Sequence, residues 1–238
     1  MTMMKHSTIK MKKNKLVILD NGHGEETAGK RSPDGLFREY RWCRDFANRL
    51  GESLEKSGYD ILMLVPEDDD ISLTERVKRA NAAIKEYGAV DCVLISIHNN
   101  AAGNGSQWCN ATGWEAYTTP KYTNSDKLAD LLYEEVEMQG IKTRKDLSDG
   151  DLDKETNFKI LTVNCPVVLT ENMFMDSKVD VEFLESEEGI KKLLTAHLYG
   201  IRRYFEDRNG THQSWVNINT PRPFDINYDY LINKCILK

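Results

Sequence analysis

Two histidines in matching settings carry the chemistry of this chain. His23 closes the run Leu16-Val17-Ile18-Leu19-Asp20-Asn21-Gly22-His23-Gly24, and His98 closes Val93-Leu94-Ile95-Ser96-Ile97-His98-Asn99-Asn100. Only five histidines occur in 238 residues, and two of them leave apolar, strand-like runs in the same way. In an open parallel α/β sheet, reacting groups gather outside the carboxyl ends of the strands. Two neutral imidazoles brought together there can hold a metal ion. Zinc fits best when one carboxylate joins them and one position stays open. Read singly, His23 is a histidine in a surface turn and His98 a satisfied histidine at a sheet edge. The pairing is what points to a metal.

Two acids are placed to complete such a site. Glu39, in Gly35-Leu36-Phe37-Arg38-Glu39-Tyr40, falls in the first turns of the first predicted helix. An acid there also suits the helix dipole, and the two roles are compatible. Glu171 ends the run Pro166-Val167-Val168-Leu169-Thr170. A carboxylate at that point is costly to bury unless it is paired or working. Facing a metal-activated water, it is a natural general base; the alternative is an exposed glutamate at a strand end. Glycines on both sides of His23 let the backbone turn sharply and keep room around the ring.

The elements that must position these groups alternate. Residues 15–20 read as a buried strand, and 36–57 as a helix with Cys43, Phe46, Ala47, Leu50 and Leu54 on one face, ended by Gly58. A second strand spans 59–65 and stops at Pro66. A helix at 73–87 turns Val77, Ala80, Ile84 and Tyr87 inward, and a third strand covers 90–97. Residues 99–112, rich in Asn, Gly and Ser, read as a mobile loop. A strand at 114–118, a helix at about 125–138 and a long polar loop at 142–157 follow. Short strands at 159–163 and 166–170 precede a last helix at about 187–205. Strands alternating with helices predict one α/β domain, a twisted, mostly parallel sheet with helices on both faces.

The division expected is a basic tail at 1–14, a catalytic domain at 15–206, and an extension at 207–238 that docks back on the domain. The tail carries Lys5, Lys10, Lys12 and Lys13 without an apolar stretch of secretory length. No segment has the apolar length of a transmembrane helix. The formal net charge of −6 comes without the basic stripe that a nucleic-acid partner requires. Five scattered cysteines, with no Cys-x-x-Cys pair, make a poor disulfide framework and suit synthesis in a reducing cytoplasm.

In order along the chain stand Asp20-Asn21-Gly22-His23-Gly24, Glu39, Arg76 with Ala80-Asn81, Ser96-Ile97-His98-Asn99-Asn100-Ala101, Gly113-Trp114-Glu115 and Pro166-Val167-Val168-Leu169-Thr170-Glu171. This series resembles the zinc-dependent N-acetylmuramoyl-L-alanine amidases of the amidase-3 type, phage lysins among them. The resemblance spans roughly residues 15–205. It implies one zinc per chain held by His23, Glu39 and His98, with Glu171 as the catalytic carboxylate. The implied reaction is hydrolysis of the amide between the lactyl group of N-acetylmuramic acid and the L-alanine of a peptidoglycan stem. Departures are Asn21 for a proline, Asn99 for an alanine, and Asn172-Met173-Phe174 after the catalytic position. None removes a ligand.

Peptidoglycan is then the expected partner, met after release from the cytoplasm or export by a non-standard route. Loops 99–112 and 142–157 would frame a groove, with Asn100, Trp108 and Arg144 as candidate contacts for glycan or peptide; for Arg144 and Lys145 a solvated ion pair is the alternative. Trp114 reads as core packing. Three rivals stand beside this reading: a zinc peptidase acting on another amide, a non-catalytic wall-binding module, and a cysteine hydrolase using Cys109 or Cys165.

Overall fold

The computed structural model describes residues 14–208. The docking expected of residues 207–238 therefore lies almost wholly outside the described residues. Six strands form one sheet in the order β2-β1-β3-β6-β4-β5: β1 Leu16–Asn21, β2 Asp60–Met63, β3 Cys92–Asn100, β4 Glu115–Thr118, β5 Lys154–Glu155 and β6 Val167–Phe174. The first four in that order run parallel. β4 lies antiparallel to β6, and β5 follows β4 in parallel, so one edge of the sheet is reversed.

Five α-helices cover it unequally: α1 Glu39–Lys56, α2 Leu73–Tyr87, α3 Asn124–Met138, α4 Lys178–Glu185 and α5 Glu187–Arg208. One face of the sheet presents Val17, Leu19, Val93, Ile95, Ile97, Ala116 and Val168, and packs under α1, α3 and α5. The other presents Leu16, Ile18, Leu94, Val167 and Leu169. It meets Ala80 and Ile84 of α2 and Ile160 and Leu161 of a short 3-10 turn at Lys159–Thr162. This second layer is thinner, and His98 of β3 and Glu171 of β6 stand on the thin side.

Local chemistry explains the element ends and corrects several expectations. α1 begins at Glu39, not at 36. Gly35 takes a left-handed φ of 75°, the Phe37 amide donates to Ser32 Oγ at 3.0 Å, and Arg38 is extended. Residues 36–38 thus belong to a turn. The strand expected at 159–163 is the 3-10 turn instead: the Leu161 amide donates to Phe158 O, which lets the consecutive Ile160 and Leu161 both go inward. The loop expected at 142–157 contains the two-residue β5. α4 was not expected, because its charged sequence hides the buried Val181 and Leu184. Ser72 caps α2, and a Thr123–Asp126 capping box opens α3.

Candidate active site

His23 is delivered by the loop that leaves β1. The two glycines beside it act through space. A Cβ on Gly22 would lie 2.6 Å from the His98 ring, and one on Gly24 would lie 2.1 Å from the Asp70 backbone nitrogen. The left-handed residue of the turn is His23 itself, with φ 60°, so the strain falls on the functional residue. A buried network holds this turn. Arg76 donates to Asp20 Oδ1 at 2.8 Å, to Asn21 O at 2.7 Å and to Asp70 Oδ1 at 3.1 Å, while Ser96 Oγ donates to Asp20 Oδ2 at 2.6 Å. Arg44 adds a bond to His23 O at 3.0 Å.

Glu39 reaches into the same corner from the first turn of α1 and is fully buried. Its Oε1 lies 3.4 Å from His23 Nε2 and 3.1 Å from His98 Nδ1, and accepts the Asn99 amide at 3.0 Å. The two imidazole rings stand edge to face, 4.9 Å between centroids. One ligand atom from each residue falls within 4.8 Å of the others. His23 Nε2 and Glu39 Oε2 are buried without a hydrogen-bond partner. Two imidazole nitrogens and a carboxylate oxygen, partly orphaned and converging, are a donor set that fits a metal ion.

The electrostatics agree. Burial alone would raise the Glu39 carboxyl, but hydrogen bonds and charge from the two histidines outweigh it and hold the group well below its usual range. His98 is pushed down by burial and up more strongly by Glu39. For His23 burial wins and its pKa falls, which favours the neutral, ligating form.

Glu171 lies in the body of β6, the fifth of its eight residues, and not at a strand end as expected. It is the register partner of His98 on one side and of Glu115 on the other. Register partners share a face, so His98, Glu171 and Glu115 form a row across three strands on the thin side of the sheet. Glu171 Oε2 is buried with no hydrogen-bond partner. Burial lifts its carboxyl to about 8; His98 opposes this, and the Glu39 carboxylate adds to it.

Beyond Glu171 the pairing with β3 slips by one residue. Met173 takes φ 65° there, the mark of a bulge. Asn172 secures that bulge: its Nδ2 donates to His98 O at 3.1 Å, its Oδ1 accepts Trp114 Nε1 at 2.9 Å, and its O accepts Asn99 Nδ2 at 2.7 Å. Asn99 and Asn172, which read only as departures from a family pattern, thus bond to each other across the strands that carry His98 and Glu171.

The other candidates gather around Glu115. Asn100 Nδ2 donates to it at 2.6 Å, Arg144 Nε at 2.8 Å, Lys154 Nζ at 2.6 Å and Tyr117 Oη at 2.7 Å. Arg144 also lies 5.1 Å from the centre of the Phe174 ring. This hub was missed as a hub; the signal was an acid one residue into a strand, alternating with the buried Trp114 and Ala116. Lys145 pairs with Glu137. Trp114 is fully buried, as expected of core packing. Trp108 packs against the core with Lys178 over its ring. Loop 99–112 is tied at both ends, through Asp176 to the Ala102, Gly103 and Cys109 backbone and through Asp180 to Thr112 and Gly113. Burial pushes the Cys165 thiol far up, and Cys109 is raised too, the opposite of a nucleophile.

Comparison with known proteins converges on one family. The model of the N-acetylmuramoyl-L-alanine amidase family Amidase_3 matches residues 17–203. The endolysin of Bacillus phage SPP1 is 27% identical over 198 residues, covering 79% of this chain and 65% of its own. The N-acetylmuramoyl-L-alanine amidase CwlM of Bacillus licheniformis is 30% identical over 194 residues, covering 79% of this chain and 68% of its own. The chain thus spans about two-thirds of the length of these relatives. Among solved structures, an N-acetylmuramoyl-L-alanine amidase from Clostridium difficile 630 superposes with a TM-score of 0.69 at 27% identity, over 82% of this chain and 98% of that one. With the match running from β1 into α5 and spanning every residue of the His23–Glu39–His98 corner and the Glu171 row, this chain belongs to the N-acetylmuramoyl-L-alanine amidase family.

Proposed function

We propose that the protein hydrolyses the amide between the N-acetylmuramic acid lactyl group and the L-alanine of the peptidoglycan stem peptide. The observation that carries this is the convergence of His23, Glu39 and His98 next to Glu171, the register partner of His98, inside a chain of the amidase family. The N/N/O donor set suits one zinc ion with a position left open. Bound there, zinc would supply Lewis-acid activation of a water and of the amide carbonyl.

The chain's own residues do the rest. Glu39 stays an anion through its bonds to both imidazoles. Asn99 fixes the Glu39 carboxylate through its amide. Glu171 moves the proton: it takes one from the attacking water and returns it to the departing amine of L-alanine. Burial favours the neutral form of Glu171, and a cation held in the adjacent corner would favour the ionised one. A carboxyl under both influences could accept a proton and give it back. Asn100 and Arg144, fixed on Glu115, present polar groups to the peptide, and the partly buried Trp108 adds an aromatic edge to the loop that follows Asn100. Residues 15–206 form the catalytic unit. Among the described residues no helix is long and apolar enough to cross a membrane. Peptidoglycan lies outside the cytoplasmic membrane, so the protein reaches it by release or export.

The test is a digest of purified peptidoglycan by the zinc-loaded protein, read by mass spectrometry. The expected products are stem peptides with a free L-alanine amine and glycan strands with free lactyl carboxylates. New reducing sugar ends, or cuts between stem residues, would reject the proposed bond. Binding to the wall without products would support the non-catalytic reading.

A further inference from the structure

A second cluster of metal-type ligands lies at the reversed edge of the sheet, and the amidase chemistry does not use it. Asp126 in the first turn of α3 and Asp151 and Asp153 in the loop before β5 each offer an oxygen within 4.8 Å of the others. Asp126 and Asp153 are fully buried, and Asp151 is only 8% exposed. Both carboxylate oxygens of Asp153 and Oδ1 of Asp151 lack a hydrogen-bond donor. Native proteins rarely leave a buried carboxylate in that condition.

Nearby groups do not relieve it. Thr118 Oγ1 donates to Asp126 Oδ1 at 3.0 Å, and the same hydroxyl lowers the Asp153 carboxyl without outweighing burial. Lys154, next in sequence to Asp153, is turned away onto Glu115, and Lys145 is engaged by Glu137. No lysine or arginine forms an ion pair with Asp126, Asp151 or Asp153 among the described residues. Asp149 and Glu155 converge on Asp151 at the more exposed lip, adding negative charge. Burial first, then mutual repulsion, raises the carboxyls of Asp151 to about 6 and Asp153 to about 7. Thr118 and Thr123 satisfy the Asp126 carboxylate, but among the described residues no cation offsets the charge of Asp151 and Asp153.

We propose that Asp126, Asp151 and Asp153 bind a calcium ion. The ligands are all carboxylate oxygens, a set that suits hard cations better than the softer metals that seek nitrogen or sulfur. Calcium accepts carboxylate oxygens at about 2.3–2.6 Å in flexible geometry, whereas magnesium demands a near-ideal octahedron at about 2.0–2.1 Å. Magnesium also keeps most of its waters, whereas Asp153 is sealed from solvent. The ion would clamp the loop after α3 to the first turn of that helix. Since β5 starts at the residue after Asp153, it would also anchor Lys154 and, through it, Glu115 beside Glu171. This site stands independently of the amidase reading.

The test uses the zinc-loaded protein in calcium-free buffer, titrated calorimetrically with calcium chloride and followed by thermal unfolding. One calcium per chain is expected, with Kd of about 10⁻⁵–10⁻³ M, together with a higher Tm. Asp153→Asn and Asp151→Asn should each abolish the binding heat and the calcium-induced rise in Tm. Asp153→Asn should also melt higher than the wild type in calcium-free buffer near neutral pH, because it removes an unpaired buried charge; that result would show that the variant is folded. No heat and no change in Tm at about 10 mM calcium, well above the expected Kd, would overturn the proposal. So would an equal response to magnesium, or a calcium response retained by both variants.

Discussion

The two faces of strand β6 carry histidines of opposite character. Thr170 and Glu171 are neighbours in sequence and point to opposite sides of the sheet. Beneath Thr170, on the thickly covered face, His197 of α5 is fully buried. Its Nδ1 is 2.8 Å from Leu193 O and its Nε2 is 3.4 Å from Thr170 Oγ1, with the Phe46 and Trp114 rings beside it. Burial lowers its pKa to about 4. On the Glu171 side, His98 is also deeply set, but Glu39 reverses the effect of burial and raises its pKa. Burial is common to both rings. A carboxylate and a second imidazole on the same face distinguish the site from the core.

That contrast can be broken in four ways, from the largest expected effect to the smallest. His98→Ala removes a ligand and the register partner of Glu171. Zinc should be lost and amide hydrolysis should fall to background, measured by metal analysis and product release; stoichiometric zinc in this variant would dismantle the ligand set. Glu171→Gln removes only the proton carrier, and turnover should fall by about 10²–10⁴-fold.

Gly22→Ala places a methyl where the His98 ring now sits, 2.6 Å away. Zinc affinity should weaken by about 10–100-fold, the range for disturbing groups that orient a ligand, and the 2.9 Å approach to Ile97 O should lower Tm as well; competition with a chelator on the folded variant measures the first.

His197 is the control on the other face. Its folded pKa lies below the unfolded value of about 6.5, so the folded state binds fewer protons. Its contribution to stability is therefore present above about pH 6.5 and is lost as pH falls through about 4, up to about 3 kcal/mol. Urea unfolding of wild type and His197→Gln across that range should show the wild type losing more stability on acidification. Zinc content should be unaffected at neutral pH. A fall in zinc on this substitution would erase the distinction between the faces.

Much of this arrangement is legible in the chain. β1 and β3 are continuous apolar runs, as parallel central strands require, and α1, α2, α3 and α5 announce themselves by their apolar spacing. The corner residues are legible because His23 and His98 share a context and Glu39 opens the next helix. Other features depend on long-range partners that spacing does not encode. Glu171 reads as a strand end because nothing in Asn172-Met173-Phe174 reveals that β6 continues through a bulge. Glycines around His23 suggest a sharp turn and room around the ring; the room proves to be close approach to His98 and Asp70, while the positive φ belongs to His23 itself. β5 is two residues long and exists only because β4 is there to pair with it. The convergence of Asp126 with Asp151 and Asp153 likewise requires the loop to fold back onto α3.

The division of labour between the metal corner and Glu171 is the central claim, and zinc stoichiometry in Glu171→Gln tests it most directly. The carboxylate of Glu39 belongs to the metal corner, whereas Glu171 stands in the next strand with a free oxygen. The folded Glu171→Gln protein, equilibrated with zinc and freed of excess, should retain about one zinc per chain, as an open three-ligand site predicts, while its turnover collapses. Loss of the zinc would make Glu171 a ligand and contradict the account; so would zinc retained together with wild-type turnover.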